Sequence, residues 1–203
     1  MKNVQRAAEF YSRTAGRYAR SRPHGIREPV LARQRDAIVE LARPRSTDSV
    51  LDVGCGAGRV AAVLRPRVGW ICGADASSEM LALARQWLDE GIQASLETLD
   101  LGRKFDLIVC CGVFDFVEDA AAGLEAIRRH LAPEGRAVVS AAAVSAIGVG
   151  YALVRRAQGV RVRLYTSRRL RALAASCGLR CTAARRLPGG SVAVMLEHAG
   201  ARV

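Results

Sequence analysis

Lysine is nearly missing from this chain: Lys2 and Lys104 are the only two among 31 basic residues, and the other 29 are arginine. Aromatic residues make up only 5% of the 203 positions. That scarcity, with no recognisable RNA-binding module, speaks against a surface that stacks unpaired bases. Long apolar runs are absent. The longest uncharged stretch, near residues 137–154, is interrupted by Ser140, Ser145, Gly148 and Gly150 and makes a poor transmembrane span. The opening MKNVQRAAEF has no apolar core of the kind a secretory signal needs, so a cytoplasmic protein is expected. Six cysteines, at 55, 72, 110, 111, 177 and 181, form no CxxC pair and no metal-ligand cluster. They are expected as thiols that pack like small hydrophobes. No internal repeat and no low-complexity linker is visible.

What is present bounds the class. Half of the residues are apolar, enough for a packed core, so a disordered basic tail is excluded. The length suits one domain, or one domain with a short appendage. The net charge of +12 is unevenly spread: residues 1–45 carry +7, residues 46–143 carry −5, and residues 144–203 carry +10. A GC-rich genome accounts for arginine over lysine but not for this partition.

Hydrophobic periodicity predicts helices over 7–19 and 28–42, separated by Arg22-Pro23-His24-Gly25. From residue 49 the pattern alternates. Strands are predicted at 49–53, 70–74, 93–97, 106–111 and 136–142. Helices are predicted from the glycine-rich loop to about Leu64, over 77–89 with Ser77 as cap, over 119–131, and over 167–177 with Thr166 as cap. Two strands, 179–186 and 191–198, flank Pro188-Gly189-Gly190 and close the chain. Such alternation predicts an α/β fold: a mostly parallel sheet with helices on both faces and an antiparallel strand at the end.

The sharpest signal is VLDVGCGAGRVAAVL at residues 50–64. An apolar strand runs into Gly54, Gly56 and Gly58 and then a helix. Glycines allow tight turning and close approach of a ligand, and the helix N-terminus offers free N–H groups. The order GxGxG departs from the GxGxxG dinucleotide fingerprint and from the phosphate-binding loop with its Gly-Lys-Ser/Thr. Asp75 ends the next strand, 17 residues beyond Gly58, where a carboxylate suits two ribose hydroxyls.

These stretches resemble the class I S-adenosylmethionine-dependent methyltransferases of small-molecule type. Residues 50–59, 73–84 (GADASSEMLALA), 105–119 (FDLIVCCGVFDFVED) and 131–138 (LAPEGRAV) carry the likeness, in family order. The resemblance implies a Rossmann-like seven-stranded sheet with its last strand antiparallel, and S-adenosyl-L-methionine as cofactor. It implies that Asp52, Gly54, Cys55, Gly56 and Gly58 surround the methionine half and that Asp75 holds the ribose. Ala76 and Met80 would flank the adenine, and Cys111 with Gly112 would line the methionine pocket. Family members often carry an acid after the third strand for the adenine amino group. Here that place is Ser95, with Glu97 and Asp100 as neighbours. The division implied is a helical lid over 1–45, with Tyr18 covering the cofactor, and a methyltransferase domain over 46–203.

Methyl transfer from a sulfonium needs alignment and exclusion of water, and a base only when the acceptor enters protonated. Asp115 is a candidate base, with a helix cap as its structural alternative, and Phe114 and Phe116 are candidates for an apolar wall. His24 is a second candidate base; His130 suits a helix C-terminus, and His198 is expected to be exposed. Residues 143–165 hold Arg155, Arg156, Arg161 and Arg163 and no acid. Both basic flanks belong to the pieces expected to close over the acceptor, so a small anionic metabolite, methylated on oxygen or nitrogen, is the favoured acceptor. RNA, or a lipid or quinone at a membrane surface, is the alternative.

Overall fold

A computed structural model describes residues 3–20 and 28–200, apart from the side chains of 17–20. Two helices come first, α1 (Asn3–Arg20) and α2 (Glu28–Ala42). The alternating region follows as β1 (Ser49–Val53), α3 (Arg59–Leu64), β2 (Trp70–Asp75), α4 (Ser78–Ala84), β3 (Glu90–Gln93), β4 (Phe105–Cys111), α5 (Ala120–His130) and β5 (Leu131–Ala142). The chain ends with α6 (Ala146–Ala157), α7 (Ser167–Ser176), β6 (Leu179–Leu187) and β7 (Ser191–His198).

One sheet of seven strands runs in the order β3-β2-β1-β4-β5-β7-β6. The first five are parallel, and β7 lies antiparallel between β5 and β6. This is the architecture the sequence pattern predicts. Strand β1 is apolar on both faces because both are covered. Leu51 and Val53 enter a core shared with Leu124 and Ile127 of α5 and Leu170 of α7. Val50 points the other way, into a core with Ile38 and Leu41 of α2 and Leu64 of α3. Asp52, two residues from Val50, therefore lies on the α3 side of the sheet. Among the described residues no helix is long and apolar enough to cross a membrane.

Caps set the helix starts. Ser77 Oγ accepts from Met80 N, Asp119 from Ala121 N and Ala122 N, Ser145 from Gly148 N, and Thr166 from Arg169 N. Several boundaries differ from the sequence reading. The helix predicted over 77–89 ends at Ala84 and passes through a 3₁₀ turn, Arg85–Trp87. The third strand is Glu90–Gln93 and lies before the predicted 93–97, because Gly91 packs under Leu81 of α4 while 95–98 folds into a hydroxyl-bonded turn. Strand β5 already begins at Leu131, with an irregular register spanning Pro133-Glu134-Gly135, which was expected as a break. Helix α6 was not predicted, because its glycines and uniform apolarity hide a helical period.

A buried ion pair joins the two halves of the sheet at the end opposite the glycine loop. Arg136 of β5 donates from Nη2 to Asp48 Oδ2 at 2.6 Å and to the Arg43 carbonyl at 2.6 Å, and from Nε to the Ala42 carbonyl at 2.6 Å. It thereby satisfies carbonyls at the C-terminus of α2. Removing one partner strands the other charge in the interior. Arg136→Ala is expected to lower the unfolding free energy by about 3 kcal/mol or more, read from the urea midpoint. A loss below about 0.5 kcal/mol would show that the pair behaves as an exposed one.

Candidate active site

The site is built at the C-terminal ends of β1, β2 and β4, where the strand order reverses direction and open parallel sheets form a crevice. Gly54 N donates to the Ala74 carbonyl at 2.6 Å, and Cys55 N shares that acceptor at 3.1 Å. Gly54 has φ +66°, and a Cβ built on it would lie 1.9 Å from Val113 Cγ2. Only a residue without a side chain passes there. Gly56, at φ +52°, has nothing within 4 Å of where a Cβ would be, and the same holds for Gly112 beyond β4. These two face open space across the crevice.

Two carboxyl groups border it. Asp52 is 2% exposed, and its Oδ2 is buried with no hydrogen-bond partner. Burial, and then the neighbouring Asp75 carboxylate, push its pKa up from 3.8 to about 7, against an Ala61 backbone N–H that opposes the shift. Asp75 is partly exposed. Its Oδ2 accepts from Gly56 N at 2.8 Å and its Oδ1 from Ser77 N at 2.8 Å, leaving each oxygen a second lone pair. Burial raises its pKa and these two N–H groups oppose the rise.

The surrounding residues fall into place around these. Cys55 and Cys111 are free thiols, both raised by burial, Cys111 to about 12. Met80 is buried in α4 and its N–H meets the Ser77 cap, while the Ala76 carbonyl accepts from Gln93 Nε2 at 3.3 Å. Gln93 pairs in register with Asp75, which the misplaced third strand concealed in the sequence. Ser95 is bound to Thr98, hydroxyl to hydroxyl at 3.1 Å. Glu97 accepts from Glu118 N at 2.8 Å and so ties two loops together.

Asp115 is not the cap of α5; Asp119 is. Asp115 is 4% exposed, and its Oδ1 accepts from Ala142 N at 2.6 Å, which locks the end of β5 to the loop after β4. Burial raises its pKa to about 7, with the Ala142 N–H opposing. The two phenylalanines beside it do not form one wall. Phe114 points into the main core, its ring 5.4 Å from that of Tyr165, while Phe116 packs beneath α1 against Ala7 and Tyr11. His130 is buried, its Nδ1 2.7 Å from the Ala126 carbonyl and its Nε2 accepting from Leu101 N, so its role is structural. His198 is half-buried, with Nε2 at 3.1 Å from the Leu131 carbonyl, not exposed as expected. His24 and the Tyr18 side chain lie outside the described residues.

Helix α1 lies along this edge. Ser12 Oγ donates to Glu79 Oε2 at 2.7 Å and lies 2.8 Å from the Ser77 hydroxyl, so α1 is hydrogen-bonded to the start of α4. Its other end is held by Asn3, whose Nδ2 donates to the Phe116 and Arg161 carbonyls and whose Oδ1 accepts from Arg161 N. Arg155 of α6 stacks over Phe10 at 4.7 Å and over Tyr151 at 5.2 Å. The sequence holds no local signal for the bonds of Ser12 and Asn3, which join residues 65 to 158 positions apart.

A family model described as a methyltransferase domain matches residues 51–139, the span from β1 into β5. These residues match a methyltransferase domain, and the sheet has the class I S-adenosylmethionine-dependent methyltransferase fold. The ubiquinone biosynthesis O-methyltransferase of Xylella fastidiosa is 32% identical over 128 residues, 58% of this chain and 52% of that one. A trans-aconitate 2-methyltransferase of Azoarcus is 39% identical over 93 residues, 43% of this chain and 36% of that one. The chain thus spans about half or less of the length of these curated relatives. Among solved structures, the Synechocystis magnesium protoporphyrin IX methyltransferase with bound SAH aligns at TM-score 0.75 and 16% identity, covering 96% of this chain and 99% of that one. The N-methyltransferase NodS of Bradyrhizobium japonicum with S-adenosyl-L-homocysteine aligns at 0.71 and 16%, covering 93% and 98%.

The crevice of this methyltransferase domain fits the family's cofactor. It has a side-chain-free cradle at Gly56 and Gly112, a half-buried acid at the β2 end, and one buried carboxyl oxygen without a partner. Among the described residues no three His, Cys, Asp or Glu side chains gather as a metal site.

Asp52 ties stability to pH. Its carboxyl ionises near 3.8 when unfolded and near 7 when folded, so the folded state holds the extra proton between those values. The stability of the neutral form is complete below the unfolded value and is lost as pH rises through 7. Asp52→Asn is therefore expected to flatten the decline in urea midpoint between about pH 5 and about pH 8. An unchanged slope would show that this carboxyl is ionised in the fold throughout.

Proposed function

We propose that this domain binds S-adenosyl-L-methionine in the crevice between Gly56 and Gly112 and directs its methyl group to an oxygen or nitrogen of a small anionic acceptor. The observation that carries the cofactor reading is the open cradle bordered by Asp75 and the unpartnered Asp52 Oδ2. When bound, the cofactor supplies a methyl group on a sulfonium with a neutral thioether as leaving group.

The chain's own residues bind and orient. Asp75 accepts from the ribose hydroxyls with the lone pairs that Gly56 and Ser77 leave unused. Asp52 and the Gly54-Cys55-Gly56-Ala57-Gly58 loop hold the methionine half, with Cys111 across from them; Ala76, Met80 and Ser95 border the adenine. Residues 1–45, with Tyr18, act as a lid, supported by the Ser12 bonds to α4 and by Asn3. Excluding water there strengthens every polar contact inside. Asp115 holds or takes the proton of an acceptor that arrives protonated. Its pKa of about 7 is suited to that role.

The anionic acceptor rests on the charge partition. The centre is net −5, whereas residues 1–45 and 144–203 carry +7 and +10 and supply α1 and α6 at the mouth of the crevice. A basic rim raises the local concentration of anions. The relatives named for ubiquinone biosynthesis and for trans-aconitate support a small-molecule acceptor.

Binding of S-adenosylhomocysteine, followed by calorimetry, is expected to weaken at least about tenfold in Asp75→Ala, a loss of two charge-assisted hydrogen bonds. No binding by the unaltered chain would sink the cofactor reading. Turnover of a panel of carboxylates, phenolates and neutral analogues is expected to favour the anions and to fall with added salt. Equal rates for neutral acceptors at low and high salt would remove the anionic preference.

With a protonated acceptor, the rate is expected to rise as pH passes about 7, where Asp115 ionises. Asp115→Asn keeps an oxygen for the Ala142 N–H but takes no proton. It is expected to lower kcat by about a hundredfold or more and to abolish that rise. Retention of both would assign Asp115 to structure alone.

A further inference from the structure

Large apolar side chains that stay exposed are concentrated, among the described residues, at α6 and the start of α2. Ile147 and Leu153 are each 62% exposed and Val154 is 58%. At 100° per residue, Ile147, Val149, Leu153 and Val154 share one half of α6, and Arg156 is the only charged residue on that half. The other half is used. Gly148 sits against the Ala143 carbonyl, and Tyr151 and Arg155 pack toward Phe10 and Tyr11 of α1. The apolar face continues beyond the helix. A Cβ at Gly190 would lie 2.8 Å from Ile147 Cβ, and one at Gly189 would lie 3.1 Å from Val30 Cγ1. The β6–β7 turn therefore bridges α6 to exposed Val30.

Arg156 lies on this half, Arg161 follows α6 by four residues, and Arg186 precedes the β6–β7 turn. Arg156, Arg161 and Arg186 are exposed and make no ion pair with the described residues. No acid occurs anywhere from Gly135 to Leu196. A second copy of this chain is a poor occupant, since a two-fold contact would press two copies of the same basic, acid-free segment together. An anionic lipid bilayer complements both properties: acyl chains meet the apolar half and headgroups meet the arginines.

We infer that the exposed face of α6, with the β6–β7 turn and Val30, docks this domain on the surface of an anionic bilayer. The helix lies on the membrane and does not cross it. Because α6 follows the C-terminal end of β5, the docked face is on the edge of the sheet that carries Gly56 and Gly112. The crevice then opens close to the lipid. This docking holds whichever acceptor is methylated.

Co-sedimentation of the full chain with vesicles tests it. Binding is expected to vesicles of phosphatidylcholine with about 30% phosphatidylglycerol, to weaken steeply with salt, and to be at least about tenfold weaker on pure phosphatidylcholine. The double variant Leu153→Glu, Val154→Glu is expected to bind at least about tenfold more weakly, and Arg156→Gln about fivefold. Both variants are expected to keep the unaltered affinity for S-adenosylhomocysteine, which shows that they fold. Failure to bind anionic vesicles, or equal binding by the double variant, overturns the inference. So does a dimer in sedimentation equilibrium that the double variant dissociates while the parent ignores vesicles. Vesicle binding is read without cofactor or acceptor, so its failure leaves the methyl-transfer reading standing.

Discussion

The close passage of the chain at Gly54 is the constraint on which the site depends. Strand β1 must leave the middle of the sheet, turn between β2 and β4, and enter α3 within a few residues. The turn is held by two N–H groups on the Ala74 carbonyl and closed from the other side by Val113. A side chain at Gly54 would separate β1 from the β4 loop and move Gly56, the Asp75 carboxylate it donates to, and Gly112 together. Backbone packed this tightly leaves its polar groups pointing into one crevice, and burial perturbs the acids there. Asp52 is the clearest case: a buried carboxyl oxygen without a hydrogen-bond partner, beside another acid.

Around that fixed centre the arginines do different work. Some arginines are structural. Arg136 binds Asp48 and the end of α2, and Arg155 stacks among α1 and α6 aromatics. Others remain exposed on the acid-free segment that follows β5. The arginines therefore divide into a buried or half-buried share that holds the fold, such as Arg136 and Arg155, and an exposed share that includes Arg156, Arg161 and Arg186. α1 is tied at two points: Asn3 joins it to the segment after α6, and Ser12 joins it to the start of α4.

Much of this was legible in the chain itself. The order of strands and helices, the glycine loop, Asp75 at its strand end and the caps at Ser77 and Thr166 all follow from local patterns. Such features arise from backbone sterics and period, which neighbouring residues encode. Where reading failed, the pattern was weak or the cause was distant. The third strand is four residues long, with Ile92 as its only large apolar residue to mark it. Helix α6 looked like an interrupted apolar run, since a face left bare removes the polar half that marks amphipathicity.

The side-chain roles near the acceptor were the least legible. Asp115 reads equally well as cap or base from sequence. Only folding shows that its partner is Ala142 N, supplied by another strand, and that burial carries its pKa to about 7. Phe114 and Phe116 are two residues apart, yet the turn after β4 sends one into the core and the other beneath α1. By itself, then, the sequence determined the family, the sheet topology and the glycine-and-acid cradle, because these are set by short-range stereochemistry. The tertiary structure alone decided which acids are buried and unpaired, which arginines are paired, and which face of α6 is bare. Those properties depend on what long-range packing brings within a few ångströms.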